Sequence, residues 1–299
     1  MSQGCPEDTT DPLLKEKVRP VLNRVDNLPT LPPVVTRILS LVEDPKATGQ
    51  QVAEAVSMDQ AMVASILKIV NSPFYGLNRR ISSISHAILL LGFRTIRNMA
   101  LSATLLNTFG GSAQTKRFDR GLFWRHSIGC ATTARSPCQT ASTSRSRGGV
   151  PRRARARQVG RIIFDHYFSA DFAKLLDRAL AGGADLILLE RETFGLDHAE
   201  VGRLMAQRWN FPAGVTEAIA CHHEPSRARQ APQLCALIHA ADELSHRTQL
   251  QEGSDPLPRG PFDPSVIERI GFTDEMKESF QAELEGELEK AEVFLNLLH

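Results

Sequence analysis

Apolar residues recur along this chain at spacings of three and four, and strand-like alternation bounded by turn residues is almost absent, so the pattern predicts an all-α fold. After a short polar leader, residues 13–25 keep the helical spacing. Leu28-Pro29-Thr30-Leu31-Pro32-Pro33 then interrupts the chain and opens the next helix with proline in its first turn, where the missing N–H would have no partner anyway. Val34, Ile38, Leu39 and Val42 form that helix's apolar stripe. Thr48 with Gln51 three residues on reads as a capping box opening a helix to Ser57, and Asp59 reads as the N-cap of a helix over 60–70. Asn71 to Gly76 is a loop, 83–91 a helix closed by Gly92, and 93–109 a long apolar-striped helix. A first lobe ends near Gly110-Gly111.

The same spacing places second-lobe helices at 118–134, 161–180, 185–193, 198–209, 212–223 and 233–247. Residues 248–264 are a Pro- and Gly-rich linker. Residues 274–298 set Met276, Phe280, Leu284, Leu288, Ala291 and Leu295 on one face, which predicts a docked or partner-binding helix. The expected organisation is a leader and first helix (1–19), a helical module (20–245, divided into lobes 20–111 and 112–245), and a linker with a C-terminal helix (246–299).

One stretch departs from this pattern. Residues 135–157 hold Arg135, Arg145, Arg147, Arg152, Arg153, Arg155 and Arg157, with no acidic residue and no Leu, Ile, Met or aromatic residue. Such a segment has no face to bury, so a disordered basic loop is expected over 135–158. Helical sense stops after Ala134 and resumes at Val159-Gly160. That abruptness points to a compensated frame change in the coding sequence. A natural basic arm for RNA, DNA or an acidic protein is the alternative, weakened by the lack of interleaved aromatics for base stacking.

Composition narrows the function classes. With 42% hydrophobic residues in 299 the chain can fill a sizeable core, and a net charge of +1 creates no global field toward nucleic acid or anionic membrane. Cys5, Cys130, Cys138, Cys221 and Cys235 form no Cys-x-x-Cys pair, which fits a reducing cytoplasm. Glu7, Asp8 and Asp11 precede any apolar run, unlike a signal peptide, and the longest apolar run, Ala87 to Leu91, is too short for a bilayer. The helices at 48–57 and 60–70 have the outline of a helix-turn-helix. The second of them offers only Gln60 and Lys68 for base or phosphate contacts among Ala, Met, Val, Ile, Leu and Ser, so a core helix is expected instead.

The candidates for chemistry are His126, His198, the pair His222-His223, and Asp242, each on or beside a second-lobe helix. Imidazoles and carboxylates from several helices can hold a divalent ion with a position open for water. Each taken alone reads as a capping or core residue.

The ordered set Leu28-Pro29-Thr30-Leu31-Pro32, Asn71-Ser72, Ile84-Ala87-Leu91-Gly92, Trp124-His126-Ser127, Val159-Gly160-Arg161 and Asp197-His198-Ala199-Glu200-Val201-Gly202 resembles the HDOD family, the HD-related output domains. The resemblance implies a two-lobed helical HDOD module whose second lobe is HD-domain-like, with Leu28, Pro29, Leu31, Pro32, Asn71, Ser72, Leu91, Gly92, Trp124, His126 and Gly160 as structural motif residues. HD phosphohydrolases, related in fold, hold metal with a histidine, a His-Asp dyad, further histidines and a late aspartate. On that pattern His126, His198, His222, His223 and Asp242 are remnant candidates. The dyad should immediately precede Val159, where this chain has Arg155-Ala156-Arg157-Gln158. An amide and guanidinium groups cannot replace an imidazole and a bridging carboxylate. Asp165-His166, in reversed order on the next helix, reads as structural.

The resemblance therefore implies a bacterial, cytoplasmic signal-transduction module that is not an enzyme, with no catalytic residue and no cofactor, and with a divalent metal disfavoured. Its partner would be a protein in a signalling pathway, with no membrane and no favoured nucleic acid. A metal-dependent phosphohydrolase acting on nucleotides or cyclic dinucleotides is the first alternative, and nucleic-acid binding through 135–157 the second.

Overall fold

The structure is a computed structural model that describes residues 12–44, 46–72, 75, 77, 79–109, 115, 118–120, 123, 127, 159–182, 184–247, 263, 266, 269, 270 and 278. Every regular element among them is helical: α1 (Pro12–Asp26), α2 (Pro33–Glu43), α3 (Gly49–Ser57), α4 (Gln60–Val70), α5 (Ile84–Leu91), α6 (Phe93–Phe109), α7 (Val159–Tyr167), α8 (Ser169–Gly182), α9 (Leu186–Phe194), α10 (His198–Arg208), α11 (Ala213–Ala220), a short 3-10 turn (Pro225–Arg227) and α12 (Pro232–Arg247). Among the described residues no helix is long and apolar enough to cross a membrane. The expectations for 135–158 and 274–298 fall outside the described residues, apart from Glu278, as does most of 118–134.

The caps fall where the sequence places them. Thr48 accepts from the backbone N–H of Gln51 while Gln51 accepts from that of Thr48, and Asp59 accepts from the N–H of Met62 at 3.0 Å. Gly92 closes α5 at φ +80, a left-handed conformation that disfavours a side chain, and its N–H donates to the Ile88 carbonyl. Helix α4 buries Met62, Ile66, Ile69 and Val70, the arrangement of a core helix.

Two expected helices are shorter than the periodicity predicts. Residues 161–180 form two helices that meet at Phe168, whose N–H bonds to Phe164 and whose carbonyl accepts from Phe172. The break lets Phe164 and Phe168 both reach Phe194, at ring separations of 4.2 and 5.7 Å. The helix expected over 212–223 ends at Ala220, so His222 and His223 lie in the turn after α11.

The stronger packing contacts fall within two sets, α2–α6 and α7–α12, and α1, first in the chain, packs on α9 and α10 of the second set. Lys17 donates to the Glu192 carbonyl and Trp209 Nε1 to that of Pro29, tying the chain's start to its later helices. The expected boundary at residue 19 falls inside α1. One contiguous apolar core runs through both sets, from Val18 and Leu28 to Phe194 and Trp209.

Candidate functional site

The site forms where α9 ends and the chain doubles back. Leu186, Leu189, Glu190 and Phe194 make the buried face of α9, so Glu190 sits in an otherwise apolar stripe. Gly195, at φ +77, ends the helix in a left-handed turn. Asp197 then caps α10: it accepts from the Glu200 N–H at 2.9 Å while Glu200 accepts from the Asp197 N–H at 3.3 Å. Arg191 binds the same Asp197 carboxylate at 2.7 Å. His198 is thereby the first residue of α10, fully buried and directed back at Glu190.

Glu190 Oε2 accepts the His198 backbone N–H at 2.9 Å and lies 2.6 Å from its Nδ1. A carboxylate at that distance favours the proton on Nδ1, which in the neutral ring makes Nε2 an acceptor. In the turn after α11, His222 Nδ1 lies 2.7 Å from the Ile219 carbonyl, to which it must donate, so in the neutral ring its Nε2 is an acceptor as well. His239 of α12 donates from Nδ1 to the His222 carbonyl at 2.9 Å. The Nε2 atoms of His198 and His222 are 3.3 Å apart, and His223 Nε2 is 2.8 Å from that of His198. Lone pairs that converge in this way attract a cation, whether a proton or a metal ion.

The donor set can therefore be weighed against the metal that the HD relationship implies. Three imidazole nitrogens, from His198, His222 and His223, lie within 4.8 Å of one another. The outer bonds from Glu190 and the Ile219 carbonyl are those that orient histidine ligands in metal sites. No carboxylate belongs to this group among the described residues. Asp242 is fully buried but is not part of it, and His126 and Trp124 lie outside the described residues.

Helix α7 is pressed against the site. A Cβ added at Gly160 would collide with the His198 carbonyl oxygen, so only glycine allows the N-terminus of α7 this close. One residue on, Arg161 is buried with Nε 3.9 Å from Glu190 Oε1. One turn further, buried Asp165 accepts from the Thr115 N–H at 3.0 Å and from Arg120 Nε at 2.7 Å, while Arg120 also donates to the Phe109 carbonyl. His166 packs edge-on against Phe109, and burial followed by the Arg120 charge lowers its pKa. Asp165 therefore binds Arg120 and the Thr115 backbone, and neither it nor His166 belongs to the imidazole group.

A cleft of about 750 Å³ opens over His223, lined also by Arg191, Glu200, Arg203, Glu217 and Cys221. Burial and then the Asp197 charge raise the Glu200 pKa, and burial raises that of the Cys221 thiol. Glu217 behaves oppositely. Burial alone would raise its pKa, but backbone N–H groups of Arg229, Gln230 and Ala231 converge on the carboxylate at 2.6 to 3.0 Å and hold it below its ordinary value. Glu217 thus fastens the loop that follows His222 and His223.

Of the described motif residues, Leu28 is buried, the Pro29 carbonyl receives Trp209, Leu31 packs at the core margin, and Pro32 precedes α2. Asn71 closes α4 and holds Ile81 through both backbone groups, Ser72 donates to the Ile69 carbonyl, and Leu91 packs against the core beside Gly92. Glu190, Arg161 and Glu217 are the site residues that sequence reasoning missed. For Glu190 a signal existed: it lies four residues from both Leu186 and Phe194, on the buried stripe of its own helix.

Comparison with known proteins places the chain in a family and agrees with its fold. The HDOD domain model matches residues 28–225, more than half of the chain. A curated Treponema pallidum protein of uncharacterised function is 25% identical over 203 residues, 68% of this chain but 39% of that protein, so the chain spans well under half of its relative's length. An HDOD domain protein from Geobacter sulfurreducens shares the fold with a TM-score of 0.76 at 23% identity, covering 96% of this chain and 98% of that one. A Marinobacter aquaeolei protein named for signal transduction superposes with a TM-score of 0.79 at 17% identity, over 95% of this chain and 65% of its own. A Shewanella amazonensis protein named for phosphohydrolase activity reaches 0.71 at 22% identity, over 93% and 98%.

Proposed function

Because the chain belongs to the HDOD domain family, we propose that it is a non-catalytic regulatory module of signal transduction that acts through contacts with a partner protein. One observation carries this reading. Among the described residues the groups that converge there are three imidazoles, and a carboxylate beside them, Glu190, is bonded to His198 and stands near Arg161. Hard divalent ions used in phosphoryl chemistry are ordinarily held by carboxylates that offset their charge. The Arg155-Ala156-Arg157-Gln158 sequence before Val159, where the family relationship expects a His-Asp dyad, points the same way. The Marinobacter aquaeolei relative supports the regulatory class by its name alone.

A second reading, metal-dependent phosphohydrolase, is favoured by the convergence of the Nε2 atoms. Three histidines suffice for zinc in some catalytic sites. His198, His222 and His223 would hold the ion, with Glu190 orienting His198 and the Ile219 carbonyl orienting His222. A bound divalent ion would supply Lewis-acid polarisation of a phosphoryl oxygen.

The test uses the full chain, loaded in turn with zinc, manganese and ferrous iron, and follows hydrolysis of an aryl phosphodiester and a cyclic dinucleotide. No turnover above buffer is expected with any metal. Turnover that disappears in His223→Ala would sink the non-catalytic reading. In a strain lacking the gene, rescue of the signalling defect by His223→Ala would support it.

A further inference from the structure

A groove of about 830 Å³ lies between α4 and Leu77, Arg79, Arg80, Ile81 and Ser82, far in sequence from the imidazoles. Its floor is Ala64, Leu67, Leu77 and Ile81. Lys68, Arg79 and Arg80 stand exposed along it, and among the described residues no carboxylate lines it. None of these three cations has an ion-pair or hydrogen-bond partner among the described residues. Asn71 fixes the shape: its Nδ2 donates to the carbonyls of Leu67 and Ile81, and its Oδ1 accepts from the Ile81 N–H at 2.6 Å, so the two walls are held together. Ala61 and Ala64 on the outward face of α4 leave room for another backbone to approach closely.

The complementary surface is written in the same chain. Residues 274–292 carry eight carboxylates and two lysines, eight minus two giving a net charge of −6, beside the apolar series Met276, Phe280, Leu284 and Leu288. Glu278 is helical and exposed. Just before this segment, Val266 and Ile270 pack on Ala236 and Ala240 of α12. Helix α12 packs with α11 and the 3-10 turn, whereas α4 packs with α3, α5 and α6. The segment therefore sets out from the helix set that does not contain the groove, which favours delivery to another molecule.

We propose that the groove binds residues 274–298 of a second copy of this chain, head to tail. The apolar series covers the Leu67, Leu77 and Ile81 floor, and the carboxylates meet Lys68, Arg79 and Arg80. Opposite charge guides such a contact and makes it sensitive to salt. A head-to-tail contact closes into a ring or extends into a filament, depending on its rotation. This association goes beyond the regulatory reading and stands whether or not the imidazoles bind an ion.

The full chain is mixed as isotopically labelled and unlabelled protein, treated with a carbodiimide that joins amines to carboxylates, and mapped by mass spectrometry. Cross-links from Lys68 to carboxylates within 274–292 are expected between differently labelled chains. Light scattering should show association that weakens at high salt. Combining Lys68→Glu, Arg79→Glu and Arg80→Glu should weaken it by about tenfold or more, an effect of about 1.4 kcal/mol, with an unchanged circular dichroism spectrum. Reversing Glu275, Glu278 and Glu283 to Lys in the other copy should restore it. A chain monomeric at every concentration, Lys68 cross-links confined to one label, or association indifferent to the triple reversal would each overturn the proposal.

Discussion

Helices α2–α6 and helices α7–α12 contribute to one apolar core, yet they differ in what they bury beside it. In the first set the buried polar side chains among the described residues are Ser72 and Thr104, whose hydroxyls bond to backbone carbonyls three and four residues earlier. The second set, with the segment leading into it, buries Arg120, Arg161, Asp165, Glu190, Asp197, His198, His222, His239 and Asp242. Taking charges out of water is costly, and an apolar core of equal volume is often as stable. The first set behaves as scaffold, its buried hydroxyls bonding back to carbonyls of their own chain segments. The second retains a polar interior that stability alone does not require, and the candidate site lies within it.

The sharpest way to break this contrast is Asp165→Ala. It would take from buried Arg120 the carboxylate paired with it, and a loss of about 3–5 kcal/mol is expected from urea unfolding followed by circular dichroism. A loss below about 1 kcal/mol would show that the second set's buried charges are dispensable. Gly160→Ala comes next, because its methyl group would collide with the backbone of His198. Overpacking of this kind costs about 1–3 kcal/mol, and native-state hydrogen exchange should show faster opening of the first turn of α10. Asp59→Ala, which removes a helix cap in the first set, should cost about 1 kcal/mol in the same unfolding assay. Thr104→Val should be smallest, at about 0.5–1 kcal/mol, since one hydroxyl bond within a helix is lost. If Thr104→Val matched Asp165→Ala, the division into scaffold and polar interior would fail.

Acid provides a further probe of the second set. The folded state holds the Glu217 pKa below its ordinary value of 4.5, so the unfolded chain takes up this proton first as pH falls. Its contribution to stability is therefore complete above that ordinary value and lost as pH drops through the lowered folded value. Unfolding midpoints measured against pH should fall less steeply on the acid side in Glu217→Gln than in the parent chain. An unchanged acid limb would mean that the carboxylate does not fasten the loop over residues 229–231.

Much of the helical architecture could be read residue by residue. Thr48 and Gln51, Asp59, Gly92, and Asp197 with Glu200 mark helix ends through bonds to neighbours three or four positions away, and such bonds are written in local sequence. The break at Phe168 was hidden because apolar spacing continues across it, and Phe194, whose ring receives both flanking phenylalanines, lies 26 residues from Phe168. The end of α11 was hidden in a similar way, since the pair His222-His223 extends a helical pattern that the chain abandons at Cys221.

The sequence by itself determined the all-helical class, the principal caps and the identity of the histidines worth following, because propensity, periodicity and capping act within a turn or two of the chain. Tertiary structure alone decided which of those histidines meet. His198 and His222 are 24 residues apart, and their Nε2 atoms come within 3.3 Å because Glu190 turns one ring and the Ile219 carbonyl turns the other. Gly160 admits α7 beside them, and Glu217 closes the loop beyond. Each of these is a hydrogen bond or close approach between separate segments, and its geometry comes into being only when the core has packed.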